Sequence, residues 1–482
     1  MSIHNLRVLL QEPLVPSSVT YGIYSSSAGN AVFPYGPASL ARYIHSRGYD
    51  VTYLDPGLQR MESKEYLSYI ENQRFSIIGI GSTTINIDHA LATFELIKRR
   101  FPDITTVLGG IHSTLLPVET MHTSKAIDYI VLREAEKPLF RLLECVRKQD
   151  FEGVKKISGI CYREKSNVTV NPFAPGDHLL PEEIPIPLFG ILPMEKYVAQ
   201  ITFSKAYPTY SVIASRGCPF QCSFCNASDV LGKKLRHKSI NTVLDEIRIL
   251  KDEFGAKGIM FHDSTFTANR KWLKLFCHSY RESRLDLPWS CNSRADTIDE
   301  TLALEMKEAG CWLVSFGIES ANQKSLDLLK KGTTVEQNKR AVKLCLAQGL
   351  CVNTNYILCL PGETSSDTMN TIRFARKMGN HLASFNLPIP FPKTGMRETI
   401  ERIGVLRDDA PWSDYSGWDF TNPVYINPLI GRENMKNLRR RAYRSFYTNP
   451  NVWYRNCKEL ILLRQSPRKY WRGLWGLLSS LK

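Results

Sequence analysis

Three of the twelve cysteines fall within eight residues, in the stretch Ser215-Arg216-Gly217-Cys218-Pro219-Phe220-Gln221-Cys222-Ser223-Phe224-Cys225-Asn226. The spacing C-x3-C-x2-C follows directly on the strand-like run 210–214, which puts the thiols on a loop at the carboxyl end of a strand. Three thiolates on one tight loop can hold three irons of a [4Fe–4S] cluster, whereas a structural zinc site ordinarily closes with four ligands. The fourth iron would then be open to a ligand from outside the chain.

The sequence around this loop alternates strand and helix about six times between Thr202 and Pro392. Strands are predicted at 210–214, 258–262, 289–292, 313–317, 354–360 and 384–389, with amphipathic helices such as 240–253 and 301–309 between them. A parallel barrel built this way carries its active site at the carboxyl ends of the strands. Asp263, Arg294 and Glu319 fall at three of those ends. Asp263 suits either a ligand amine or a helix cap, and Arg294 either a forked contact to a carboxylate or an inter-strand salt bridge. A carboxylate such as Glu319 inside a barrel mouth needs a partner, because its desolvation is otherwise costly.

The first 150 residues also alternate, with strands predicted at 6–10, 50–54, 76–81, 105–108 and 126–131 and helices at 37–47, 90–100 and 139–147. This pattern implies a doubly wound parallel sheet with a ligand at the carboxyl edge, near Gln11–Pro13, Ser82, Thr83 and Gly109-Gly110-Ile111-His112-Ser113-Thr114. Paired glycines there would let a flat ligand or its tail approach the backbone. Residues 153–170 read as a hairpin turning at Ser166-Asn167, and the prolines of 181–188 as a stiff extended linker.

The loop resembles the radical S-adenosylmethionine (SAM) superfamily, which carries C-x3-C-x-aromatic-C here, the aromatic being Phe224. The phrases Val107-Leu108-Gly109-Gly110-Ile111-His112-Ser113-Thr114 and Gly36-Pro37-Ala38-Ser39-Leu40-Ala41 resemble the cobalamin-binding domain that precedes many radical SAM cores. The resemblance, over about residues 5–400, implies an α/β chain: a Rossmann-like cobalamin-binding sheet at 1–150, a linker with hairpin at 151–200, a partial (β/α)6 TIM-type radical SAM barrel at 201–400, and a basic, aromatic helical region at 401–482. It implies a [4Fe–4S] cluster on Cys218, Cys222 and Cys225, SAM contacts from Phe224, Asp263, Arg294 and Glu319, and cobalamin contacts from Ser82, Thr83, Gly109, Gly110 and His112. The cobalt-ligating signature D-x-H-x-x-G has no match, so His112 is read as a polar contact rather than a cobalt ligand. Four positions in three motifs depart from the family glycine: Arg133 and Ala135 in R-E-A-E against G-E-G-E, Cys359 in C-L-P-G-E-T against G-L-P-G-E-T, and Lys393 in P-K-T against P-G-T.

The implied function resembles that of class B methyltransferases and the anaerobic magnesium-protoporphyrin ester cyclase group. One SAM would supply a methyl group through cobalamin and a second the 5′-deoxyadenosyl radical that takes hydrogen from an unactivated carbon of a small-molecule or lipid-like, hydrophobic substrate. A radical cyclase or oxidoreductase without methyl transfer is the alternative. Electrons would come from an external donor such as flavodoxin or ferredoxin.

Charge bears on the partners. The net charge is +15, and from Gly431 to Lys482 thirteen Lys and Arg stand against Glu433 and Glu459. Concentrated at one end and mixed with Trp, Tyr and Leu in 470–478, it suits peripheral contact with an anionic membrane surface or a helix packed on the barrel. The absence of a second cysteine triad argues against a nucleic-acid-modifying enzyme. No apolar run reaches the roughly 18–20 residues of a membrane span. Twelve cysteines without a secreted framework imply a reducing, cytoplasmic setting. The aromatic segment Trp412–Phe420 is a candidate for covering the barrel mouth, and cysteines 145, 161, 277, 311, 345 and 457 are read as packing residues.

Overall fold

Alternating β-branched runs and capped amphipathic stretches resolve into two compact units in the computed structural model, which describes residues 6–15, 33–199, 204–407, 409–417 and 422–462. The first unit runs to Lys196 and includes Asp229–Leu231 and Pro411–Ser413, and the second comprises the remainder. Among the described residues no helix is long and apolar enough to cross a membrane.

In the first unit, strands β1 (Arg7–Gln11), β2 (Asp50–Leu54), β3 (Ile77–Ser82), β4 (Thr105–Gly110) and β5 (Tyr129–Val131) are parallel, in the order β2-β1-β3-β4-β5. Helices α1 (Tyr35–His45), α2 (Ser63–Gln73) and α3 (Ile87–Arg100) connect the first four, and α4 (Glu136–Lys148) follows β5. Ile78, Ile80, Leu108 and Ile130 of the sheet bury against Phe94 and Ile97 of α3 and Tyr66 of α2. The strand order reverses between β1 and β3, which opens a crevice outside their carboxyl ends.

The hairpin, β6 (Ile160–Glu164) and β7 (Asn167–Val170), pairs antiparallel onto β5 and so extends this sheet to seven strands. Its turn lies one residue earlier than the sequence suggests. Lys165 takes φ +54° and Asn167 is already paired with Glu164. The strand expected from Ala126 begins at Tyr129, because Ala126 and Ile127 are buried as core without joining the ladder.

The second unit is a six-stranded, wholly parallel sheet, β8 (Thr209–Val212), β9 (Gly258–Phe261), β10 (Trp289–Ser293), β11 (Cys311–Glu319), β12 (Cys351–Ile357) and β13 (Leu382–Asn386), with neighbours in simple chain order. A longer helix precedes each strand after the first: α5 (Ile240–Asp252), α6 (Arg270–Glu282), α7 (Glu300–Glu308), α8 (Val335–Ala347) and α9 (Ser365–Met378). Each is started by a side-chain cap, from Ser239, Asn269, Asp299, Thr334 and Thr364 respectively, which satisfies an amide the first helical turn would leave open. Strand β12 ends three residues before its predicted limit. Leu358, Cys359 and Leu360 are fully buried, yet Cys359 sits at φ +61° and leaves the strand direction. An apolar run therefore continued past the end of its strand.

A partial barrel leaves a β13 edge. Helix α10 (Gly395–Ile403) follows the last strand, and α11 (Arg432–Tyr447) lies along that edge, with α12 (Pro450–Leu462) after it. Tyr447 Oη accepts from Ala383 N at 3.2 Å and donates to Ala383 O at 3.0 Å. Tyr443 Oη accepts from Phe385 N at 3.2 Å, and Arg439 Nε donates to Phe385 O at 3.0 Å. One helix face, at intervals of four residues, thus supplies the partners a neighbouring strand would have given.

Candidate active site

The cysteine loop leaves β8 through a tight turn. Gly217 has φ +95°, and a Cβ there would lie 2.2 Å from Lys234 O, so both backbone conformation and space demand glycine. Cys218 N donates to Gly232 O at 3.0 Å and Cys225 N to Cys222 O at 3.1 Å. Ser223 N donates to Leu329 O at 2.8 Å and its oxygen accepts from Met396 N at 2.7 Å, while Asn226 Nδ2 donates to Pro392 O at 3.2 Å. The loop is thereby pinned to the segments after β11 and β13.

All three thiols are free of disulfides, with Cys218 buried, Cys222 half-buried and Cys225 exposed. Burial is the first cause of the upward pKa shifts of Cys222 and Cys225. The positive charges of Lys331 and Arg294 oppose it at Cys222, whereas Cys225 is lowered next by the Ala227 amide and Lys331 and raised by the other two thiols. Thiols shifted in this direction keep their protons until a metal binds and displaces them, and the nearby cations favour the thiolates that result. Among the described residues no three His, Cys, Asp or Glu side chains converge as the shell of a single ion would. A four-iron cluster takes its thiolates at separate corners, and three soft donors on one clamped loop fit it.

Arg294 follows β10. Its Nη1 donates to Cys222 Sγ at 3.5 Å and its guanidinium lies 3.7 Å from the centroid of the Phe220 ring. The fork itself is taken: Nε and Nη2 both meet the Asp296 carboxylate at 3.0 Å, and Nη2 also reaches Lys331 O at 2.5 Å. The forked contact to a ligand carboxylate that the sequence allows is therefore occupied by Asp296, and Nη1 faces the thiol.

Glu319 ends β11 at φ +63°, and its Oε1 accepts from Lys331 Nζ at 2.8 Å with both side chains buried. Lys331 is the partner that the buried carboxylate needs, and its ammonium lies 5.8 Å from the centroid of the Phe224 ring. Sequence reasoning passed over Lys331. The only signal was a basic pair before a glycine, Lys330-Lys331-Gly332, which a solvated turn explains equally well.

Asp263 is buried and turned to its own chain, accepting from Ala214 N at 3.1 Å and Ser215 Oγ at 2.5 Å. It caps no helix, since α6 is capped by Asn269. Desolvation raises its pKa to about 6 against these hydrogen bonds. Cys218, Cys222, Cys225, Phe224, Arg294 and Glu319 are therefore brought to one mouth, with Asp263 behind the strand that carries the loop.

At the same end of the sheet, the turn after β12 is organised by Glu363. Its carboxylate accepts from Ser325 Oγ at 2.6 Å, Leu360 N at 3.1 Å and Asn322 Nδ2 and Ser320 Oγ at 3.2 Å. Asn427 Nδ2 clamps the same turn, donating to Leu360 O and Glu363 O at 2.9 Å.

In the first unit, the carboxyl edge brings Ser82, Thr83, Gly109, Gly110 and His112 together, Ser82 being in register with Gly110. The two glycines differ in cause. A Cβ on Gly110 would lie 2.1 Å from Ser82 O at φ +102°, so the sheet's own packing requires it, and the ligand approach expected of it is not what fixes that residue. A Cβ on Gly109 would meet nothing closer than Val131 O at 3.9 Å, and one on Gly81 nothing within 4 Å, which leaves open backbone at the crevice. Thr83 caps the turn before α3, its amide bonded to Asn86 Oδ1 at 2.7 Å.

His112 is buried, 3.4 Å from Thr84 Oγ1 and edge-on to Trp412 with centroids 4.8 Å apart. Burial pushes its pKa down to about 4. The open backbone at Gly81 and Gly109 leaves room for a flat ligand at this edge. Trp412 thus packs within the first unit, and residues 418–421 of that segment lie outside the described residues. Glu12, beyond β1 at the same edge, has its pKa raised to about 8 by burial and by Asp55.

Two family descriptions match the chain, the radical SAM superfamily at residues 212–375 and the B12 binding domain at 22–143. The uncharacterized methyltransferase PH0819 of Pyrococcus horikoshii is 33% identical over 454 residues, 94% of this chain and 95% of that one. The anaerobic magnesium-protoporphyrin IX monomethyl ester cyclase of Rubrivivax gelatinosus is 30% identical over 86% of this chain and 73% of its own. Among solved structures, the radical SAM methyltransferase TsrM of Kitasatospora setae, with tryptophan and a SAM analogue bound, matches with a TM-score of 0.70 at 19% identity over 92% of this chain and 88% of that one, a likeness of fold.

Proposed function

We propose, for a chain that belongs to the radical SAM superfamily and carries its B12 binding domain, that it is a cobalamin-dependent methyltransferase acting on an unactivated carbon of a small molecule. The observation that carries this reading is the clamped loop of Cys218, Cys222 and Cys225 facing Arg294 and the buried Glu319–Lys331 pair at the ends of parallel strands. When bound, the cluster, SAM and cobalamin together supply reductive SAM cleavage and a transferable methyl group.

The chain's own residues supply position and charge. Cys218, Cys222 and Cys225 hold the cluster, Phe224 stands beside Lys331, and Glu319 receives the ammonium or ribose hydroxyls of SAM. Arg294 Nη1 acts on Cys222, steadying thiolate charge, and Asp263 positions the loop by holding residues 214 and 215. In the first unit, Ser82, Thr83 and Gly109 line the crevice proposed for the corrin, and His112 and Gly110 shape it from within.

Anaerobic reconstitution tests this. About four irons and one corrin per chain are expected, with both S-adenosylhomocysteine and 5′-deoxyadenosine among the products of turnover. Absence of corrin binding would overturn the methylase reading. The similarity to the cyclase favours one second reading, ring formation or oxidation without methyl transfer. It would give 5′-deoxyadenosine with no S-adenosylhomocysteine. Electrons come from an external donor of the flavodoxin or ferredoxin kind.

Peripheral membrane contact through the basic end belongs to the same proposal, though the tail 463–482 lies outside the described residues. A chain truncated at Ser466 should lose binding to anionic liposomes, and unchanged binding would remove the membrane role.

A further inference from the structure

The surface of the second unit carries its charge unevenly. Helix α11 holds Arg432, Lys436, Arg439, Arg440, Arg441 and Arg444 against Glu433 alone, and that carboxylate meets Lys436 at 3.0 Å. Arg440, Arg441 and Arg444 line a groove between α11 and α9, and Arg376 of α9 faces them from the other wall. Asn437, Ser445 and Thr448 complete a lining that contains no carboxylate and no aromatic ring. The groove holds about 840 Å³. At about 1.5 Å of helix rise per residue it runs roughly 16 Å from Asn437 to Thr448.

One end of the groove is fixed by the fold. Arg376 Nη1 donates to Ser445 O at 3.1 Å, Asn449 Nδ2 donates to Arg376 O at 2.8 Å, and Thr448 Oγ1 donates to Arg444 O at 2.7 Å. Arg376 is thereby held against α11, whereas the guanidinium groups of Arg441 and Arg444 meet no hydrogen-bond or ion-pair partner among the described residues. The helix dipoles account for Arg376 and Arg444, which stand in the last turns of α9 and α11, but that effect fades within a turn. It leaves Arg441, nearly two turns from the end of α11, unexplained. Arg441 and Arg444 also stand at the i, i+3 spacing and Arg440 and Arg444 at i, i+4, where like charges repel. An anion from outside the chain relieves that crowding.

The lining also says which anion. Arginine presents a planar fork that matches two oxygens of one phosphoryl group, and several forks along a slender groove fit phosphoryl groups in a row. Single-stranded nucleic acid draws affinity from bases stacked on aromatic rings, and a lipid surface from apolar anchors beside the basic residues; this lining has neither. An acidic peptide would bring backbone N–H donors to walls that are themselves mostly donors. We propose that the groove between α9 and α11 binds a linear chain of phosphoryl groups, the chemistry shared by inorganic polyphosphate and the tail of a nucleoside triphosphate. Helix α9 starts beyond the carboxyl end of β12 and returns to the amino end of β13, so Arg376 in its last turn lies at the opposite end of the sheet from the cysteine loop. The site is thus separate from the mouth, and it stands whether or not the chain transfers a methyl group.

The test is calorimetric titration of the reconstituted full-length holoprotein, at about 0.15 M NaCl to screen diffuse attraction, with tripolyphosphate, ATP free of divalent cations, orthophosphate and phosphatidylglycerol vesicles. Tripolyphosphate should bind saturably, one per chain, and roughly tenfold or more tighter than orthophosphate. Arg441→Gln and Arg444→Gln should each weaken it roughly tenfold, the loss of one charge-assisted hydrogen bond. Both positions are exposed, so neither change disturbs the core. Arg340→Gln, which removes an exposed charge from α8 outside the groove, should leave binding unchanged. ATP binding more tightly than tripolyphosphate would name a nucleotide as the occupant, and equal or weaker binding the bare chain. Absence of tripolyphosphate binding, equal binding of orthophosphate, unchanged binding in both groove variants, or an equal loss in Arg340→Gln would overturn the proposal. So would vesicle binding that the groove variants abolish and tripolyphosphate fails to displace, which would assign the groove to lipid headgroups. Formation of 5′-deoxyadenosine is measured on the same samples: its absence strikes the proposed function and leaves the groove untouched.

Discussion

At the level of single residues, the positions where this chain departs from the family glycine are informative. Ala135 takes an ordinary helical φ of −79°, but Arg133, Cys359 and Lys393 sit at positive φ, +58°, +61° and +58°. The backbone conformation that glycine serves is kept, and each side chain bears the strain of roughly 1–2 kcal/mol. Lys393 and Arg133 are exposed, so Lys393→Gly and Arg133→Gly should each raise stability by about 1 kcal/mol in urea titrations. Cys359→Gly should gain little, because removing a fully buried side chain costs a similar amount.

Lys331 offers a sharper test. Lys331→Met strands the Glu319 carboxylate in a buried site and should cost about 3–5 kcal/mol, with much of that recovered in the double variant Lys331→Met/Glu319→Gln. Denaturation of the four proteins in a double-mutant cycle measures it, and additive losses would show that the pair is not coupled. Cys218, Cys222 and Cys225 were legible because their spacing is local. Lys331 was not, since nothing in a sequence shows that a lysine twelve residues beyond Glu319 folds back onto it.

Among elements, α11 carries the largest departure from what periodicity reveals. Its bounds, Arg432–Tyr447, are readable from the sequence, but its role lies in three side chains that meet β13 backbone. Arg439, Tyr443 and Tyr447 follow a spacing of four that any packed helix shows, so the sequence marks the buried stripe and not its hydrogen bonds. Tyr447→Phe keeps the packing but leaves Ala383 N and O without partners, and should cost about 1–3 kcal/mol. Faster hydrogen exchange at the Ala383 amide would locate the loss, and an unchanged rate would argue that water takes the place of the hydroxyl.

For the whole molecule, buried titrating groups shape the response to acid in two opposing ways. His381 is buried with its pKa pushed down to about 4, and its Nδ1 accepts from Val352 N at 3.2 Å. The unfolded chain binds a proton at this ring below about pH 6.5, which the folded ring refuses until about pH 4, so the stability it contributes at neutral pH is lost as pH falls across that window. His112 and His237 follow the same course. Asp263 runs the other way: with its folded pKa raised to about 6 from 3.8, the folded state holds a proton the unfolded state has released, and stability falls as pH rises through that interval. His381→Gln should therefore flatten the acid limb of a stability-against-pH curve, whereas Asp263→Asn should gain relative to the parent between pH 4 and 6. Thermal unfolding at several pH values reads both, and parallel curves for all three proteins would refute the assignment.

The tyrosine-lined edge of β13 also bears on how the protein can be taken apart. Two hydroxyls and a guanidinium take the backbone hydrogen bonds that this strand would otherwise offer to another extended chain, including a second copy of itself. Shortening the chain from its basic end is harmless only while Tyr447 remains. A cut placed before Arg432 would expose an open strand and let the fragment self-associate edge to edge, so a loss of activity in it would report on aggregation before it reported on chemistry.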